Sequence, residues 1–267
     1  MLGKLMKYEF MAMGRVFLPL YGALIIVSVI NMMLGYLGLE TPTAIGVFLA
    51  VLLILGIMII TFLLVLQRFW TNLLSNEGYL MMTLPVSTDR IILSKLLVAS
   101  VWNVASTIVV LLSILAMAAP VLAAQEITLA FIVEQIRHVI EMAPFSSLQI
   151  SILVAQIIIA TVVGLFSNIL LPYACMALGM ISNKHRWLVA IGAYLVITTA
   201  LQIIVTIFFS IGYVAGLFGN IELLMLNYTT FSQVQIVMLF VIVLEAVLGA
   251  LFYFITRYML KNKLNLQ

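Results

Sequence analysis

Long apolar runs divided by short polar breaks make up almost the whole chain. A helix needs about 20 apolar residues to cross a hydrocarbon core of about 30 Å. On that measure the runs predict six membrane-spanning helices, at about 16–39, 44–67, 96–119, 147–181, 187–213 and 233–258. Pro19 falls in the first turn of the first span, where its missing N–H does least harm. The turn Glu40-Thr41-Pro42-Thr43 is short, so the second span should return antiparallel beside the first. As a helix the fourth run is on the order of 50 Å long and must tilt, kink at Pro172 or project beyond the lipid.

The interruptions have patterns of their own. Residues 1–14 predict an interfacial helix, with Leu2, Leu5, Met6, Phe10 and Met13 on one side and Lys4 and Lys7 opposite. Glu9 lands among the apolar positions, which calls for a protein partner. Residues 67–95 form a polar hairpin, in which 71–82 can make about three helical turns before Pro85 stops them. Residues 120–146 predict an amphipathic helix on the outer surface. There Ile127, Ile132, Ile136, Val139 and Ile140 alternate with Glu126, Glu134, Arg137, His138 and Glu141. Glu134 with His138 and Arg137 with Glu141 are spaced as helical i,i+4 pairs, and Pro144 marks the end. Asn183-Lys184-His185-Arg186 is a tight turn. Gly216, Gly219 and Asn220 break the apolar segment 214–232, which reads as a re-entrant or surface helix.

Composition agrees with the spans. Of 267 residues 66% are hydrophobic and 8% charged, and mean hydropathy is +1.31. A soluble domain of that length needs a far larger charged surface. Of the twelve Lys and Arg, all but Arg137 fall on one side of the six-span topology. By the positive-inside rule both termini are cytoplasmic. The net charge of +3 is parcelled among short loops, so no nucleic-acid partner is expected. Cys175 is the single cysteine, which excludes an intrachain disulfide. Residues 1–15 lack the continuous apolar run of a signal peptide. The sequence contains no G-x-x-x-x-G-K-[ST], no H-E-x-x-H and no G-x-S-x-G, and its two histidines fall on opposite membrane faces. No catalytic residue, metal site or cofactor is therefore expected in this chain.

Polar residues inside the spans are costly where they face lipid. Tyr21, Ser28, Asn31 and Gly35 share a face of span 1. Gln149, Gln156 and Ser167 align on span 4, and Asn103, Ser106, Thr107 and Ser113 do so more loosely on span 3. These three stripes read as helix–helix interfaces. On span 5, Thr199, Gln202, Thr206 and Ser210 lie within about 80° of one another, a stripe that fits a transport path as well as packing. Span 2 is apolar apart from Thr61. Glu245 is the one acid deep in a span, with Gly249 and Thr256 on its face. A charge there costs roughly 2.5–3.5 kcal/mol on insertion scales, so the residue should be paired, hydrated or protonated.

The hairpin carries the most specific signal. Glu77-Gly78-Tyr79-Leu80, then Thr83-Leu84-Pro85-Val86-Ser87, then Leu93-Ser94-Lys95, resembles the first cytoplasmic loop of type-2 ABC transporter permeases of Gram-positive bacteria. Lys4-Leu5-Met6-Lys7-Tyr8-Glu9-Phe10 resembles the start of those subunits, and six spans fit as well. The resemblance implies a coupling helix that seats in a groove of a separate ATPase, with Asn76, Glu77, Gly78, Tyr79, Leu84 and Pro85 at the contact. It implies that spans 2 and 5 face the pathway, which puts Thr199, Gln202, Thr206 and Ser210 of span 5 on the translocation path; Glu245 of span 6 is counted with them for its depth in the membrane, a protonated structural acid being the equal alternative. It also implies two ATPase copies, ATP and magnesium bound there, and a second permease as homodimer or heterodimer partner within the bilayer. The expected fold is all-α with six spans, and the expected function is ATP-driven export of a peptide, lipid or drug. A proton-coupled transporter using Glu245 and a membrane scaffold or sensor are the alternatives.

Overall fold

The computed structural model describes residues 2–71, 87–142, 145–182, 185–214 and 231–262. These residues form seven helices: α1 (Leu2–Tyr36), α2 (Glu40–Phe69), α3 (Thr88–Ala124), α4 (Leu129–Met142), α5 (Ser147–Gly179), α6 (Arg186–Val214) and α7 (Phe231–Asn262). All but α4 are long and apolar enough to cross a membrane. The chain is an all-α, multi-pass membrane protein.

Several boundaries depart from expectation. The interfacial helix expected at 1–14 and the first span are one continuous helix of 35 residues, with Pro19 inside it. Aromatic packing on both sides of Pro19 offsets the N–H it removes, since Phe17 before it stacks on Trp102 of α3 and Tyr21 after it packs against the same ring. The first turn lies at 37–39, ahead of the expected Glu40–Thr43. Gly38, at φ +68°, takes the left-handed position, donating to the Gly35 carbonyl at 3.1 Å, while Leu39 N–H reaches the Leu34 carbonyl at 3.2 Å. That pair of bonds is a Schellman cap. Pro42 then sits in the first turn of α2, where no N–H is required. The third span continues through Pro120 to Ala124, five residues past its expected end, so the amphipathic segment shortens to α4.

The chain divides into two compact units. The first holds residues 1–68 and 90–143, with α1, nearly all of α2 and α3, and α4. Its packing follows a heptad. Gly14, Phe17, Tyr21, Leu24, Ser28, Asn31 and Gly35 recur at alternating steps of three and four along α1. On α3 the residues that meet them are Trp102, Ser106 and Pro120. A three–four repeat keeps one seam facing its neighbour, as in left-handed coiled coils. Small residues set how close the helices come: a Cβ added at Gly35 would meet the Pro120 ring at 2.7 Å, and one at Gly46 of α2 would strike the Asn31 side chain. Tyr21 and Ser106 share a hydrogen bond of 2.6 Å, and Thr61 of α2 lies 3.3 Å from the same hydroxyl. The polar face of α1 is thus a helix–helix interface, as its pattern predicts.

The second unit holds residues 69–89 and 144–267, with α5 packed against both α6 and α7. Ser146 caps α5 in a capping box with Gln149, so Gln149 serves the helix end and not the interface. Gln156 pairs reciprocally with Gln235 of α7, through bonds of 2.6 and 3.0 Å. Further along, Ser167 lies against Gly249. Pro172 lies inside α5 within a buried stretch from Ile169 to Ala177.

Candidate functional site

The described residues place chemistry at the two roots of the 67–95 hairpin. Asn76, Glu77, Gly78, Tyr79, Leu84 and Pro85 themselves lie outside the described residues. What can be built is the frame that carries them.

In the second unit, Phe69 ends α2, and its ring stacks on Tyr173 of α5 at a centroid distance of 4.1 Å. Both rings are buried. At Trp70 and Thr71 the helix passes into a π turn, a device common where a helix must redirect its side chains. Trp70 stacks on Trp187 of α6 at 4.2 Å. On the returning side, Asp89 in the first turn of α3 receives two donors from α7. Arg257 Nε lies 2.8 Å from Asp89 Oδ1, and the Tyr253 hydroxyl donates to the same oxygen at 2.7 Å. These partners are about half exposed, so the ion pair alone adds little stability. Its value is geometric, because donors one helical turn apart converge on one carboxylate oxygen. The entry root is therefore tied to α5 and α6, and the exit root to α7.

In the first unit, Lys95 is buried, with 3% of its side chain exposed. Its ammonium lies 2.8 Å from Glu9 Oε1, itself 13% exposed. Lys95 Nζ also donates to the Arg68 carbonyl at 3.3 Å, in the last turn of α2, where carbonyls lack intrahelical donors. One ammonium thus joins α1, α2 and α3. Glu9 has the protein partner that its awkward position required. The partner is Lys95, which the sequence presented as a topology marker and as the end of the hairpin motif, with nothing to pair it with Glu9.

The proposed path residues are dispersed. Thr199, Gln202, Thr206 and Ser210 all lie exposed along one side of α6, with the Thr206 hydroxyl donating to the Gln202 carbonyl at 2.8 Å. Glu245 is half-buried on α7, one turn before Gly249. No described contact joins the α6 stripe to Glu245. Among the described residues no group of three His, Cys, Asp or Glu side chains is placed to hold a metal ion. Sequence reasoning missed Asp89, Tyr253, Arg257 and the aromatic pairs. For Phe69, Trp70, Trp187, Asp89 and Arg257 the available signal was a position close to a span end, and for Tyr173 and Tyr253, which lie further inside their helices, there was none.

Comparison with protein families, curated proteins and solved structures returns no match to this chain.

Proposed function

We propose that this chain is the membrane subunit of an ATP-driven exporter of the ABC type, seated in a bacterial plasma membrane with the hairpin in the cytoplasm. The observation that supports this reading most is the anchorage of the hairpin roots. Phe69, Trp70 and Asp89, at the two roots of the hairpin, are themselves held to α5, α6 and α7. A load applied to the hairpin would therefore reach three spans at once, which is what a coupling element requires. A loosely hung solvated loop has no use for two aromatic stacks and a two-donor carboxylate.

On this reading a separate ATPase binds ATP and magnesium and docks on Asn76, Glu77, Gly78, Tyr79, Leu84 and Pro85. Two ATPase copies need two such hairpins, so the chain works as a pair, with itself or with a similar permease. Closure of the ATPases pulls the hairpins, and the motion passes into the second unit. The exposed face of α6 with Thr199, Gln202, Thr206 and Ser210, together with Glu245, offers the polar lining of the path. The apolar character of the remaining spans suits a peptide, lipid or drug.

Glu77→Lys and Gly78→Trp test the docking. Each should reduce co-purification of the ATPase and lower ATP hydrolysis by the complex, while thermal unfolding of the membrane subunit stays within a degree or two. Full complex formation by both variants would remove the hairpin as the docking element.

A further inference from the structure

We infer that α4 is a lipid-binding helix, lying in the membrane interface with its apolar side immersed and held there by apolar burial without charge attraction. The inference does not rest on the transport reading, since it uses only α4 and the ends of α3 and α5.

The helix is two-sided. At about 100° per residue, Ile132, Val133, Ile136, Val139 and Ile140 fall within an arc of about 120°. Glu134, Arg137, His138 and Glu141 occupy the opposite side and line an open groove, with Arg137 Nε 2.9 Å from Glu141 Oε1. The apolar side is uncovered except at Ile132, which is half-buried. Val133 is 64% exposed, Ile136 55%, Val139 67% and Ile140 46%. Four large aliphatic side chains at that exposure on one short helix need an apolar medium.

The way the helix is attached selects the medium. α3 crosses the membrane and ends at Ala124 in a Schellman cap, with Glu126 N–H on the Ala123 carbonyl at 3.1 Å and Ile127 N–H on the Leu122 carbonyl at 2.9 Å. Thr128 caps α4 immediately afterwards, its hydroxyl accepting from Phe131 N–H at 3.2 Å. No slack lies between the two caps, so α4 leaves the end of a spanning helix through a rigid corner. At its other end, four residues separate Met142 from Ser147, the start of α5. A linker of that length reaches at most about 14 Å. A helix of about 21 Å tied so closely at both ends stays at the membrane surface.

Charge then decides how it is held. Interfacial helices that seek anionic lipid carry Lys and Arg on the polar face. Here Glu134 and Glu141 outnumber Arg137, and Glu126 precedes them at the corner. Anionic headgroups offer α4 no attraction, so its immersion should be the same in neutral and anionic bilayers and insensitive to salt.

Spin labels test this. Single cysteines are placed at Val133, Ile136, Val139 and Ile140, and at Glu134 and His138, in Cys175→Ala protein reconstituted in phosphatidylcholine nanodiscs. Collision with oxygen should dominate on the first set and collision with a water-soluble nickel chelate on the second, giving a helical period. The ratio should not change when phosphatidylglycerol is added. Nickel dominance at every position would place the helix in water and overturn the inference. Low collision with both agents on the apolar side would show a protein covering and overturn it equally. A deeper setting in phosphatidylglycerol, abolished by salt, would refute the charge-free attachment. Ile136→Trp gives an independent reading, because brominated phosphatidylcholine should quench its fluorescence, and unquenched emission counts against immersion.

Discussion

At the residue scale, one side chain and one ion pair stand where general rules disfavour them. Glu126 holds φ +58° at the left-handed position of the α3 cap, the place usually taken by glycine. A non-glycine residue there costs about 1–2 kcal/mol. Glu126→Gly should raise stability by about 1 kcal/mol, read as a higher unfolding temperature in detergent, and an unchanged or lower temperature would mean that the side chain repays the strain. The buried Lys95–Glu9 pair is the second. Removing one partner of such a pair costs about 3–5 kcal/mol, because the other charge is left in an apolar setting. Lys95→Met should therefore be strongly destabilising, while Glu9→Leu combined with Lys95→Met recovers much of the loss. A single Lys95→Met variant as stable as the parent would remove the clamp from the account. The sequence showed that Glu9 needed a partner, because a carboxylate on an apolar stripe is costly wherever it lies. It hid which partner, because a lysine at a span end serves membrane orientation equally well and only the fold brings Lys95 to Glu9.

At the element scale, the spans were legible because a bilayer imposes length and apolarity on every one of them. Their ends were not, because a bilayer imposes nothing there. Pro42 and Pro120 read as breaks, yet Pro42 occupies a first turn and Pro120 is absorbed within α3. The interface faces of α1 and of α5 at Gln156 and Ser167 were also legible, since small and polar residues at helical spacing gain most by facing another helix. The closeness of that packing makes a sharp prediction. Gly35→Ala places a methyl against the rigid Pro120 ring and should destabilise by about 1–3 kcal/mol through forced separation of α1 and α3. Gly56→Ala meets nothing within 4 Å and should be neutral or slightly stabilising, through helix propensity. Equal effects of the two substitutions on thermal unfolding would mean that the seam is looser than described.

At the scale of the whole molecule, the first unit is a heptad seam closed by an ion pair, and the second carries the roots of the hairpin. The aromatic and ionic anchors of the hairpin were illegible in the sequence. Phe69, Trp70 and Trp187 look like ordinary residues of span ends, where aromatics are common in any membrane protein, and Tyr173 looks like an ordinary aromatic inside a span. Only the assembled second unit shows that they face one another. On the proposed function those anchors would pass a load from a partner in water into the second unit. Replacing Tyr79 with a photocrosslinking residue in native membranes reports that partner directly. Irradiation should join the chain to a P-loop ATPase subunit, in an adduct that excess Glu77→Lys protein does not compete away. Adducts with lipid alone, or with another copy of this chain alone, would contradict the proposed coupling.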